Sequence, residues 1–230
     1  MDISQFLNVP ALPSHLHLHT LFHITMKRIL TLLAVLSFTS TLALAADEQG
    51  FVSVFNGKDT SGWHLRRQDG HNSWKVENGI LKNTVNQGEH GTDLVQDKKM
   101  WNYTVRYEFQ VPDDSNSGFY LRGRHEIQIL GDYKKGKPDK HGNGSIYGVK
   151  APDEFASKPG GEWQTVEATI VGNKITVIQN GKKIHDQVPC DKATGSELDR
   201  NVTEPGSIFL QGDHGTVWFR NIRVKELPKS

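Results

Sequence analysis

Four side chains with hydrogen-bonding heads recur at alternate positions of one short stretch, Ser115–Asp132 (SNSGFYLRGRHEIQILGD). They are Tyr120, Arg122, Glu126 and Gln128. Successive side chains of a strand point to opposite faces. Two strands around Gly123 would therefore put these four on one face and Phe119, Leu121, Ile127 and Ile129 on the other. A three-residue loop, Gly123-Arg124-His125, keeps that parity. It sets Arg122 opposite Glu126 and Tyr120 opposite Gln128. A carboxylate, a guanidinium, a phenol and an amide on one face can move a proton, hold an oxyanion and grip hydroxyls, which suits a sugar-sized ligand.

Three further groups carry chemistry-capable side chains. His141, Tyr147 and Lys150 lie in HGNGSIYGVKAP, where Gly142 and Gly144 let backbone pass close to a ligand. Gln211, Asp213 and His214 lie in FLQGDHGTVWFRN, with the histidine at a turn between two strands. Histidine titrates near neutral pH and suits proton transfer. Trp63, in FNGKDTSGWH, has a ring that can stack on a sugar face or fill a core.

The elements that must position these residues are short β-type runs separated by Gly, Asn, Asp and Pro. Strands are expected at Trp74–Val76, Ile80–Lys82, Tyr103–Val111, Gly118–Arg122, Glu126–Leu130, Thr165–Val171, Lys174–Gln179, Ile208–Gln211 and Val217–Lys225. Turn signals recur at Asn78-Gly79, Gly172-Asn173 and Asn180-Gly181. No long segment has a helical period. The pattern predicts an all-β fold, an antiparallel sandwich or jelly roll. The segment Gly131–Pro159 is long for a loop, and loops of that length often carry function.

The first 45 residues are expected to stand apart. Met26-Lys27-Arg28, the apolar run Ile29–Phe38 and Ala43-Leu44-Ala45 read as a secretory signal peptide over 26–45. Residues 1–25, upstream of it, read as an over-long start, and its four histidines as no metal site. The apolar run is too short for a stable membrane anchor. The expected domain is a single β-sandwich over 46–230, exported to the periplasm or secreted. Removing Asp2, Lys27 and Arg28 leaves 25 basic and 25 acidic residues, which gives no electrostatic case for nucleic acid or anionic lipid. Cys190 is the one cysteine, so an intrachain disulfide is excluded and the core must hold the domain. The run Gly131–Lys137 begins like a phosphate-binding loop, but Pro138 stands where Ser or Thr is needed. There is no CxxC, HExxH or GxSxG, so zincin chemistry and serine-elbow catalysis have no support.

Four segments together resemble a known family. They are Val54-Phe55-Asn56-Gly57-Lys58-Asp59 to Trp63; Asn116–Gly123 with Glu126–Leu130; Gly161-Glu162-Trp163-Gln164 through Val171–Ile175 to Asn180-Gly181; and Leu210–Gly215 with Val217–Ile222. Their order and spacing resemble the 3-keto-disaccharide hydrolase family over about Phe51–Leu227. The resemblance implies a jelly roll like that of concanavalin A-type lectins and glucanases, with a carbohydrate site on a concave sheet.

It also implies cleavage of glycosides already oxidised to a ketone at sugar carbon 3. Such a ketone acidifies the hydrogen on C2. A base removes it, the C1 substituent leaves by β-elimination, and water adds to the alkene. The carboxylate pair of ordinary glycosidases is then unnecessary. On this reading Glu126 or His214 is the base. Arg122, with His141 or a divalent cation held among Asp132, Glu126, His141 and His214, stabilises the enolate. Tyr120, Gln128, Tyr147, Lys150, Gln211 and Trp63 contact sugar. A sugar 3-dehydrogenase is implied upstream as a functional partner. The alternatives are a non-catalytic carbohydrate-binding domain and a structural surface domain, since fold alone does not fix function.

Overall fold

Strict alternation in Tyr103–Gln110 sets the frame of the fold. Tyr103, Val105, Tyr107 and Phe109 are buried, and the residues between them are half-exposed. That period of two fits a strand with one face on a core. The computed structural model describes residues 49–86 and 88–228. The expected leader and signal peptide lie outside the described residues.

Thirteen strands are found among the described residues. The first six are β1 Val52–Ser53, β2 Trp63–Leu65, β3 Trp74–Glu77, β4 Ile80–Asn83, β5 Leu94–Met100 and β6 Tyr103–Gln110. Then come β7 Asn116–Leu121, β8 His125–Leu130, β9 Gln164–Val171 and β10 Lys174–Gln179. The last are β11 Lys182–Pro189, β12 Gly206–Leu210 and β13 Val217–Glu226. One 3-10 turn, Tyr133–Lys135, is present, and no described helix is long and apolar enough to cross a membrane. The strands form two antiparallel sheets. The larger runs β11-β10-β9-β6-β13-β4-β3, with β1 on β13; the smaller runs β2-β5-β12-β7-β8. This is the jelly-roll sandwich that the strand pattern predicts.

The apolar parity of each sheet packs against the other. Tyr107 of the larger sheet stacks on Phe119 of the smaller, with ring centroids 3.9 Å apart, and Phe219 lies tilted against both at 6.3 Å. Truncating such a buried ring to alanine costs about 3–5 kcal/mol. Ile127, Ile129 and Leu121 join the same core. In β13 the inward set changes parity, from Val217 and Phe219 to Ile222 and Val224. Asn221, at φ 54°, forms the bulge that makes the change possible.

The turns follow their sequences. Asn78-Gly79 and Asn180-Gly181 both take positive φ, as a type I′ hairpin turn requires. The long segment after β8 folds back along it. Gly144 N–H donates to Gln128 O, Gln128 N–H to Ser145 O, and Tyr147 N–H to Glu126 O, at 2.8–3.1 Å. Ile146 is fully buried in the core. This segment therefore walls the edge of the smaller sheet next to Glu126.

Candidate active site

β7 and β8 supply the floor of the site, and their register differs from the sequence expectation. Tyr120 opposes Glu126, Gly118 opposes Gln128, and Leu121 closes on His125. The hairpin loop is Arg122-Gly123-Arg124, one residue earlier than expected. Arg122 and Gly123 both take positive φ (53° and 68°), and Tyr103 Oη accepts the Arg122 backbone N–H at 2.9 Å. These constraints take Arg122 off the strand face. Its guanidinium lies over the Trp101 ring at 3.6 Å, and Nε donates to Trp101 O at 2.7 Å. The expected Arg122–Glu126 pair is thus replaced by a Tyr120–Glu126 pair. Arg122 therefore does not stand opposite Glu126, the place from which it was expected to hold the enolate.

Glu126 is the most perturbed carboxyl on this face. It is 4 % exposed, and burial pushes its pKa up to about 7; the Tyr120 phenol and the charge of His214 pull the other way. Its backbone N–H donates to Thr194 Oγ1 at 2.9 Å. The carboxyl lies over Gly118, where a Cβ would stand 2.3 Å from Oε1. A glycine inside a strand often marks such a close approach. Tyr120 is stacked on Phe209 at 3.8 Å, with Val95 and Leu198 packed around the pair. Burial and the neighbouring Glu126 push its phenol well above the usual range, so it stays protonated and donates.

Opposite this pair lies the loop after β12. Asp213 Oδ1 pairs with His214 Nδ1. That hydrogen bond raises the histidine above its ordinary pKa, against a smaller effect of burial; the charges of Asp213, Asp93 and Glu126 add to the rise. Burial is the largest single influence on Asp213 and works against its ionised form, but the His214 hydrogen bond, the His214 charge, a backbone N–H and the Arg66 charge together hold the carboxyl below its usual range. The loop is clamped from below. Asn83, fully buried, donates through Nδ2 to Gly212 O at 3.0 Å and Gly215 O at 2.8 Å. Asp93 Oδ1 accepts the Gly212 N–H at 2.9 Å.

Arg66 ties the two walls together. It donates to Asp93 Oδ2 at 3.1 Å, Ser196 O at 2.8 Å and Glu197 O at 2.9 Å. The loop it holds brings Ser196 to the Tyr120 hydroxyl, Thr194 to Glu126 and Leu198 to the aromatic pair. A cleft of about 520 Å3, lined by Arg66, Arg67, His90, Thr92, Asp93 and Asp213, opens on the His214 side. Another of about 600 Å3 opens on the side of Thr194 and Ser196.

The remaining expected residues divide. Gln211 is brought in: its N–H bonds Gly118 O at 2.9 Å, and its buried Oε1 has no partner. Gln128 shares the face, but its amide is engaged by His141 O and the Ile129 N–H. His141 and Tyr147 meet edge to face at 4.9 Å on the wall beside β8. Lys150 is paired with Asp153. Trp63 is a core residue, 7 % exposed, with Nε1 donating to Val54 O at 2.8 Å, so the stacking role expected of it is corrected. Asp132, Glu126, His141 and His214 do not converge; no group of three or more metal-ligating side chains is found among the described residues. Sequence reasoning missed Asp93, Arg66, Asn83, Phe209, Thr194 and Ser196. Only Gly118 had a sequence signal, as a glycine inside a strand.

The arrangement offers a carboxyl that changes charge near pH 7, a protonated phenol beside it and a histidine biased to its cation. Environments that push titratable groups apart in this way mark acid and base partners. A protein from Bacteroides thetaiotaomicron named 3-keto-disaccharide hydrolase is 29 % identical over 238 residues, covering 81 % of this chain and 82 % of that protein. Two crystal structures from Parabacteroides distasonis, each named a "putative glycosyl hydrolase", share the fold. One has a TM-score of 0.65 at 23 % identity, covering 79 % of this chain and 96 % of the other. The second has a TM-score of 0.62 at 27 % identity, covering 78 % and 84 %. The profile of one family matches residues 50–225, from before β1 into the end of β13 and including every residue of the Glu126–His214 cluster. The chain belongs to the family of 3-keto-alpha-glucoside-1,2-lyase-like domains.

Proposed function

We propose that this protein cleaves glycosides carrying a ketone at sugar C3, by elimination across C1–C2, with Glu126 as the base. The observation that carries the reading is the Glu126 carboxyl, buried over Gly118 and pushed up to about 7. A general base is most effective when its pKa lies near the working pH. Family membership and the relative named 3-keto-disaccharide hydrolase support the substrate class.

Each step follows from the residue types. Ionised Glu126 takes the proton from C2, and the C2–H pair becomes the C2–C3 double bond of an enolate, with charge on the C3 oxygen. The Tyr120 phenol and the His214 cation are the donors for that oxygen in place of Arg122. The enolate collapses, the C1–C2 double bond forms and the C1–O bond breaks. The leaving oxygen takes a proton from His214 or from protonated Glu126. Water then adds at C1, and C2 is reprotonated, so the net result is hydrolysis. Gln211, whose backbone N–H bonds the Gly118 carbonyl, braces the strand beneath Glu126. The ketone has to be made by a separate oxidation at C3, so a sugar 3-dehydrogenase is the partner reaction. Export through the 26–45 signal peptide belongs to the same proposal.

The test is to offer the protein a 3-keto-glycoside and its unoxidised parent. The proposal expects release of the leaving group from the ketone alone, and its loss in Glu126→Gln. Release from the parent at a comparable rate, or binding of both with turnover of neither, contradicts it; the second result is that of a binding module.

A further inference from the structure

The cleft of about 520 Å3 on the His214 side is lined by Arg66, Arg67, His90, Thr92, Asp93 and Asp213, each with a polar head. Most of that chemistry is committed to holding the walls. Arg66 is paired with Asp93, Asp213 with His214, and Thr92 is buried against Gly70. Arg67 and His90 are the exposed heads that remain, so a ligand in the cleft reaches them.

Local structure fixes where these two stand. β2 pairs with β5 up to Leu65 and Leu94, and the Arg66 N–H donates to Asp93 O at 2.9 Å. The chain leaves the sheet at Arg67 and turns at once, with the Gly70 N–H donating to Arg67 O at 3.0 Å. A Cβ on Gly70 would stand 2.2 Å from Thr92 Oγ1, so this turn rests on the segment that enters β5. His90 is set from the other side. A Cβ on Gly91 would stand 2.3 Å from Gly212 O, so the backbone after His90 lies against the loop that carries His214. His90 Nδ1 is 3.2 Å from Asp213 O. That carbonyl can only accept, so Nδ1 donates, and Nε2 of the neutral ring is an acceptor.

The cleft thus offers a donor-only head, the Arg67 guanidinium, together with an acceptor, His90 Nε2. Neighbouring hydroxyls of a sugar match that pair, one accepting from the arginine while the next donates to the histidine. The carboxylates of Asp93 and Asp213 in the same lining disfavour an anion. The volume lies within the ~300–1,000 Å3 of ligand pockets, enough for one pyranose ring. The cleft begins at Asp213, whose carboxyl holds His214, a proton donor for the oxygen that leaves C1. The group beyond that oxygen therefore lies on this side of the cluster.

We propose that Arg67 and His90 determine specificity for the leaving group, and that they select a neutral, hydroxylated one, a second sugar ring over a small alkyl group. The proposal rests on the elimination assigned to Glu126 and His214.

Paired substrates test it. One is a disaccharide with its ketone at C3 of the non-reducing ring, and the other is the methyl 3-keto-glycoside of the same ring and anomer. Their kcat/KM values are measured for wild type, Arg67→Ala and His90→Ala, each variant checked for folding by thermal melting. Wild type should favour the disaccharide by at least ~10-fold, and each variant should lower that preference by ~10-fold, chiefly through KM. A general disturbance of the site would instead lower both values and leave their ratio. Wild type that treats the two substrates alike, or a ratio that either folded variant keeps, overturns this proposal and leaves the reading of Glu126 standing. Turnover of neither substrate by wild type overturns both.

Discussion

The carboxyl of Glu126 rests on Gly118, so closely that a methyl group added to Gly118 would stand 2.3 Å from Oε1. Gly118 opposes Gln128 and carries the carbonyl that accepts the Gln211 N–H, so its backbone is fixed on both sides. The strand cannot yield, and the side chain that moves is Glu126. Gly118→Ala is expected to lower kcat/KM on a 3-keto-glycoside by ~100-fold, the effect of displacing a reacting group by about 1 Å. Overpacking should lower stability by about 1–3 kcal/mol. Steady-state kinetics and thermal melting read the two effects, and full activity in Gly118→Ala would mean that Glu126 is free to work from another position.

Glu126 and His214 should shape the pH profile in opposite ways. The base works when ionised, so kcat/KM rises as pH passes through about 7. His214 donates as a cation, and its pKa is raised by the Asp213 hydrogen bond, so the rate falls again above the ordinary histidine range. Glu126→Gln should remove ~10^2–10^4-fold of the rate. His214→Gln should leave the rising limb and flatten the falling one. A profile whose rising limb survives in Glu126→Gln would assign that limb to another group.

The same shift makes a stability prediction. A carboxyl whose folded pKa is raised prefers its proton in the native state. Its contribution is present below its unfolded value of about 4.5 and is lost as pH rises through about 7. Wild type should therefore be less stable at pH 8 than Glu126→Gln, by up to ~3 kcal/mol at ~1.4 kcal/mol per pKa unit. Near pH 4 the difference should vanish. His214 has its raised pKa in the same sense, so its contribution is also present at low pH and lost as pH rises through its folded value. Denaturant unfolding of both proteins across this range measures the difference. A gap that does not change with pH would indicate an ordinary packing effect.

Arg66 has three acceptors on two chain segments, Asp93 on one side and the Ser196 and Glu197 carbonyls on the other. In Arg66→Gln the loop around Ser196 loses its tie to the smaller sheet, and Asp93 loses its cation. Faster proteolysis within residues 191–200 is expected, along with a rise in KM larger than the fall in kcat. Unchanged protease sensitivity would show that Leu198 packing and the Arg124–Asp199 pair suffice to hold the loop.

The strands of this fold were legible where period and turn agreed. Tyr103–Gln110 alternates cleanly, and the two Asn-Gly pairs end their strands as their positive φ requires. β5 and β11 were not legible: Gln96-Asp97-Lys98-Lys99 and Lys182-Lys183 put charge where a strand pattern wants apolar residues. The face carrying Tyr120, Glu126 and Gln128 followed from parity alone, whereas the register did not. A three-residue loop can begin at 122 or 123, and the choice is made by Tyr103, nineteen residues away, accepting the Arg122 N–H. The far wall was illegible for the same reason. Asn83, Asp93 and Arg66 meet the His214 loop and the Ser196 loop across more than a hundred residues, and no local pattern announces such partners.

Turnover of a 3-keto-glycoside in deuterated water tests the central claim most directly. If Glu126 removes the C2 hydrogen and elimination follows, the released 3-keto sugar carries deuterium at C2, or the product is the unsaturated C1–C2 ketone with no hydrogen there. Glu126→Gln should form neither. A released 3-keto sugar that keeps its original hydrogen at C2 would contradict the elimination and, with it, the role given to Glu126.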